Sequence, residues 1–83
     1  MDQQISLADL EIGDIAVIES VRLENPLLKR VYDLGFLPDV SVKCVQKAPA
    51  GSPIAFAIKS SVVALRKNDA NRIICRKQTR GNI

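Results

Sequence analysis

The sequence predicts a small, mostly β domain, a barrel or sandwich of about five short strands with one inserted α-helix and short helical turns. Three observations carry this. Most of the chain after residue 40 alternates apolar and polar residues with period two, the signature of half-buried strands. Turn signals recur at strand-length intervals of about 8–12 residues. One segment, residues 24–39, switches to a helical period and is bracketed by Asn-Pro and by glycine. At 83 residues the chain makes a single domain over residues 1–83, burying roughly 60–65% of its unfolded surface. Its ordered core is expected over about 6–76, with 77–83 a flexible tail.

"SLADLEIGD" (residues 6–14) reads as a short helix. Ser6 caps it, Asp9 completes a capping box, Leu7 and Leu10 point to one side, and Gly13 ends it. "IAVIESVRL" is rich in β-branched residues and follows Gly-Asp, so it reads as a strand. In "ENPLLKRVYDLGFLPD" Asn25 suits the N-cap, Pro26 the first helical position and Gly35 the residue after the C-cap. Leu27, Leu28, Val31 and Leu34 form one apolar stripe, while Lys29, Arg30 and Asp33 lie off it. Phe36 is placed to fold back onto that stripe, and Pro38 forbids continuation.

"VSVKCVQK", "IAFAIK", "SVVALR" and "RIICRK" are the remaining strands. "KNDAN" between the last two holds one helical turn, with Asn68 as its cap, and "QTRGNI" is a frayed polar end. The expected core is Val42, Ile54, Phe56, Ile58, Leu65 and Ile73, with Leu28, Val31 and Leu34 of the helix laid against it. Between two strands stands "APAGSPI". Pro49 and Pro53 fix two φ angles and remove two donors, so this is a rigid corner with Gly51 supplying positive φ. Rigid loops on a β scaffold are where small domains carry recognition surfaces.

Residues 1–24 contain six acidic residues and one basic, and the rest contains eleven basic and three acidic. The basic residues are scattered, so the reading is that the two ends of the chain pair within one fold. Two cysteines, no histidine, no basic leader and no apolar run near about 20 residues point to a cytoplasmic protein with reduced thiols.

The absence of histidine excludes Ser/His and Cys/His nucleophilic catalysis, and isolated glycines exclude phosphate-cradling loops. No enzyme is expected, and no cofactor. Cys44 and Cys75 occupy apolar strand positions far apart in sequence, which reads as core packing and not as a metal site. Tight stoichiometric iron or zinc binding is not expected. Nucleic-acid binding would need aromatic platforms in a basic groove; Phe36 and Phe56 instead fit apolar stripes or their ends, and Tyr32 adjoins the helix stripe and suits either side. Arg72, Arg76, Lys77 and Arg80 read as an ordinary solvated strand face and tail.

"LGFLPD", "APAGSPI" and "VALRKNDANRI", in that order and after the opening "SLADLEIGD", resemble the ferrous-iron transport protein A (FeoA) family from about Ser6 to Arg76. The resemblance implies an SH3-like β-barrel of about five strands. It further implies a non-enzymatic cytoplasmic accessory to ferrous-iron uptake, peripheral to the membrane through its partner. That partner is the cytoplasmic GTP-binding domain of a FeoB-type transporter, with no nucleic acid expected and self-association left open. The same fold serves as a regulatory domain in iron-dependent repressors, which is the alternative reading. A nucleic-acid-binding barrel ranks third. Asp39 replaces the family's usual glycine, Ser52 its aspartate and Ser60-Ser61 a common glycine turn. Ser and Asp remain acceptable turn residues, though Ser52 removes a carboxylate from the corner. A domain without catalytic groups acts by contact. The candidate contact residues are Leu27, Phe36 and Leu37 at the helix, and Pro49, Ala50, Gly51 and Pro53 at the corner.

Overall fold

The computed structural model describes residues 4–78. Six strands form one antiparallel sheet: β1 (Gln4–Ser6), β2 (Ile15–Val21), β3 (Ser41–Lys47), β4 (Ile54–Ile58), β5 (Ser61–Leu65) and β6 (Ile73–Lys77). They lie in the order β1-β6-β2-β3-β4-β5. A 3-10 turn at Leu7–Asp9 follows β1; α1 (Leu27–Leu34) joins β2 to β3, and the single-turn α2 (Lys67–Ala70) joins β5 to β6.

Two elements differ from the sequence expectation. β1 was not anticipated, because three residues carry no period of their own; they are strand because β6 presents a partner, with Ile5 opposite Cys75. "SLADLEIGD" makes one 3-10 turn and no longer helix. There the Asp9 carboxylate accepts the Ser6 backbone N–H at 3.2 Å, and the Ser6 hydroxyl donates to Asn71 Oδ1 at 3.0 Å. That second bond ties the start of the sheet to the residue after α2. A single buried cluster runs from Leu7 and Leu10 to Leu65, Ala70 and Ile73.

The sheet extends to Gln4 and Lys77, slightly beyond the predicted core, and Gln78 N–H donates to the Ile15 carbonyl at 2.8 Å. The rest of the predicted tail, residues 79–83, lies outside the described residues. Register shifts mark bulges at Glu19 in β2 and Val45 in β3. Such bulges bend strands and strengthen twist, which is how so narrow a sheet curls over its own core.

All six strand residues expected in the core are buried: Val42, Ile54, Phe56, Ile58, Leu65 and Ile73. On α1 the stripe rotates. Leu28 packs against the core and Val31 is buried, but Leu34 is 40% exposed. At about 100° per residue, Leu28 and Val31 centre the buried face, and Leu27 and Leu34 fall together on its flank. Phe36, beyond the helix end, is fully buried. Asn25 was expected as N-cap; the helix begins at Leu27 behind Pro26, and Asn25 Oδ1 still accepts the Lys29 N–H at 3.2 Å.

The helix ends in a Schellman turn, with Gly35 N–H on the Tyr32 carbonyl at 2.9 Å and Phe36 N–H on the Val31 carbonyl at 3.0 Å. Gly35 has φ 108, a conformation open to glycine at little cost. Phe36 then turns inward and meets Phe56 edge to face, centroids 6.2 Å apart at 86°. This arrangement suits aromatic quadrupoles.

Because Phe36 is wholly enclosed, Phe36→Ala should cost about 3–5 kcal/mol, most of the stability expected for so small a domain. Phe36→Leu should cost less than half as much, and Gly35→Ala about 1–2 kcal/mol through backbone strain. Urea titration followed by circular dichroism checks the order; a Phe36→Ala midpoint equal to wild type would refute the packing described.

Candidate interaction surfaces

The two surfaces foreseen from sequence separate in space. Corner residues 48–53 lead into β4 at Ile54, whereas the turn after α1 lies at the other end of that strand, where the Ile58 and Lys59 side chains approach Gly35. The five residues of β4, about 13 Å from end to end, separate the two surfaces. They do not form one site.

On α1, Leu27 and Leu34 are 41% and 40% exposed, and Tyr32 is also exposed. Pro26, Lys29, Arg30, Asp33 and Leu34 line a shallow groove of about 300 Å³. Lys29 pairs with Asp33 one turn on, at 3.7 Å. Phe36 leaves the candidate set: it is fully buried, because the Schellman turn points it into the barrel. Leu37 is half-buried just beyond. Leu34, foreseen as core, joins Leu27 instead; the missing signal was the phase of the stripe, which an eight-residue helix defines poorly.

The corner is a closed turn. Gly51 N–H donates to the Ala48 carbonyl at 2.8 Å, with Pro49 at the second position, and Ala48 N–H donates to the Pro53 carbonyl at 3.1 Å. Gly51 has φ 90, the positive value expected of it. Pro49, Ala50 and Pro53 are exposed. Ser52 has a role that sequence did not suggest: its hydroxyl accepts the Lys67 N–H at 3.0 Å. It therefore caps α2 from a distant loop, in place of Asn68, which lies inside the turn.

The charge asymmetry resolves as intramolecular pairing. Arg76 on β6 meets the Glu19 carboxylate, which also accepts from Gln4 Nε2 at 2.5 Å, and Lys77 Nζ lies 3.3 Å from Asp14 Oδ2. Acidic residues of the first segment thus neutralise basic residues of the last strand. Arg72 is exposed and Arg80 lies outside the described residues. Of the three aromatic residues, Phe36 and Phe56 are buried and Tyr32 alone reaches the surface.

Both thiols are free and buried. Cys44 on β3 and Cys75 on β6 have β2 between them, a separation of at least about 10 Å, too far to bridge. Among the described residues no group of three His, Cys, Asp or Glu side chains is placed to hold a metal ion. Nor is any helix among them long and apolar enough to cross a membrane.

A family model described as the FeoA domain matches residues 5–77. The chain belongs to the FeoA domain family. Its FeoA domain is 36% identical over 67 residues to the Fe(2+) transport protein A/Fe(2+) transporter FeoB fusion protein of Porphyromonas gingivalis (strain ATCC BAA-308 / W83). That match covers 81% of this chain but spans only 8% of the fusion protein. Among solved structures, the FeoA protein of Chlorobium tepidum superposes with TM-score 0.82 at 30% identity, covering 87% of this chain and 69% of that one. FeoA of Stenotrophomonas maltophilia, solved with zinc and described as a procaryotic SH3 domain protein, gives 0.78 at 28% identity, covering 93% and 99%. The SH3-like β class expected from sequence is the fold observed.

Burial raises the thiol pKa of Cys44, offset in part by Lys47, and pushes Cys75 from 9.0 up to about 12, with Asp9 and Glu19 adding to the effect. Both groups are therefore neutral thiols at physiological pH. A raised pKa favours the protonated folded form, so Cys75's contribution is complete below pH 9 and is lost as the pH climbs toward 12. At about 1.4 kcal/mol per pH unit, the loss is on the order of 4 kcal/mol. Urea midpoints between pH 8.5 and about 11 should fall more steeply for wild type than for Cys75→Ala. Parallel curves would remove the assignment.

Proposed function

We propose that this FeoA domain is a non-enzymatic accessory of ferrous-iron uptake. It acts by contact with the cytoplasmic GTP-binding domain of a FeoB-type transporter, and is held at the inner face of the membrane through that partner. The observation that carries this reading is the fused relative, in which a FeoA module and a FeoB transporter share one polypeptide. Fusion keeps two modules at high effective concentration, an arrangement that favours direct contact between them. The FeoA domain supplies groups suited to contact: an apolar α1 flank with a groove beside it, carried by a rigidly capped helix.

The contact is assigned to α1, through Leu27 and Leu34. Two leucines about 40% exposed on one flank, seven residues apart, are the spacing that an apolar partner groove or ridge would engage. Leu37 borders this surface, and the corner with Pro49, Ala50, Gly51 and Pro53 is the second candidate.

Leu27→Glu and Leu34→Glu should leave circular dichroism and melting close to wild type, since neither side chain is core. Each should weaken transporter association about tenfold or more, the scale of a well-placed apolar contact, and reduce ferrous-iron uptake in a complemented deletion strain. Ala50→Glu reports on the corner in the same assay. Normal uptake with both α1 variants folded, and a deficit with Ala50→Glu, would move the contact to the corner. Normal uptake with all three would reject both surfaces.

A further inference from the structure

β5 ends the sheet, and its outer side pairs with no strand among the described residues. Its hairpin with β4 closes at Ile58 opposite Ser61 through the two-residue turn Lys59-Ser60. In a two-residue hairpin the closing pair exchanges both backbone hydrogen bonds. Ser61, Val63 and Leu65 therefore direct their N–H and C=O groups toward β4, while Val62 and Ala64 direct theirs outward. Natural edges are usually blunted by lysine, proline or a charge within the strand. Ser61–Leu65 reads SVVAL and contains none of these. Val62 is 66% exposed, the largest exposure of any big apolar side chain described. With Ala64, and with Ala55 and Ala57 opposite them on β4, it makes a smooth apolar outer face beside the open edge.

The ends of this strand are cationic. Lys59 precedes it, Arg66 and Lys67 follow it, and all three are exposed, with no ion pair among the described residues. That pattern decides between occupants. A second copy paired antiparallel about Val63 would set Lys59 against Lys67 at both ends of the paired strands, opposing like charges. An extended segment with an apolar centre and carboxylates at its flanks satisfies both the edge and its ends.

We propose that the β5 edge is a strand-addition site for such a segment: an acidic-flanked, β-branched peptide of a partner protein, bound through the outward backbone groups of Val62 and Ala64. Laid there, it runs from the turn beside Gly35 to the point where Ser52 caps α2, so it spans the interval between the two surfaces described above. The proposal goes beyond the α1 contact and does not depend on it.

The probe is a capped nonapeptide, Asp-Glu-Val-Thr-Val-Thr-Val-Glu-Asp, with a control in which lysine replaces every acidic residue. Titrated into the isotope-labelled full chain, the acidic peptide should shift amide resonances of Ser61–Leu65. At saturation it should slow hydrogen exchange of the Val62 and Ala64 amides at least tenfold. The lysine peptide should bind at least tenfold more weakly, and the difference should shrink as salt rises. Ala64→Pro removes one outward N–H while leaving the β4 ladder whole, and should abolish binding with the melting point largely kept. If that variant unfolds, the triple charge reversal Lys59→Glu, Arg66→Glu, Lys67→Glu tests the same site and should invert the preference between peptides. Absence of binding at several millimolar peptide, shifts mapping to α1, or equal binding of both peptides would overturn the proposal. Sedimentation showing a wild-type dimer that Ala64→Pro dissociates would overturn it in favour of a second copy. None of these results bears on the uptake assays of the α1 variants, so the two readings fail separately.

Discussion

The turn at Gly35 governs where the helix can lie. Only a residue without Cβ takes φ near 108 cheaply, and that angle reverses the chain so that Phe36 drops into the barrel against Phe56. Phe36 and Val31 belong to the same buried cluster, and Leu28 packs against it. Leu27 and Leu34 are then left on the flank as a geometric consequence. The exposed flank is thus the complement of the helix face that Leu28 and Val31 turn to the core. In a domain of this size one aromatic pair is a large part of the hydrophobic stabilisation, so the fold and the exposed flank share one cause.

The rest of the molecule is organised by keeping a narrow sheet curled. Two bulges, at Glu19 and Val45, bend the central strands. Ser6 with Asn71 and Ser52 with Lys67 tie the helical turns to distant loops. Ion pairs of Glu19 with Arg76 and Asp14 with Lys77 join early and late segments on the surface, where such pairs contribute little stability individually but neutralise what would otherwise be a one-sided charge. Lys59, Arg66 and Lys67 at the two ends of β5 are outside these pairs. Among the described residues no cluster is placed to hold a metal ion, and the two surfaces proposed for recognition are an apolar helix flank and a strand edge.

Much of this was legible in the sequence, for reasons that are local. Period-two alternation in "IAFAIK" determined which side of β4 faces inward, since successive side chains must point to opposite faces. The Asn-Pro and Gly brackets determined that a helix lies between β2 and β3, and two prolines around a glycine determined a rigid corner. The buried, unreactive character of Cys44 and Cys75 followed from their apolar strand positions. Tertiary structure alone decided the rest. β1 is a strand only because β6 offers it a partner, Ser52 is a cap only because the corner reaches α2, and Leu34 is exposed because the helix packs against the core through Leu28 and Val31. Each of these depends on a group far away in sequence, and no local propensity or period carries information about a partner that only the folded chain brings near.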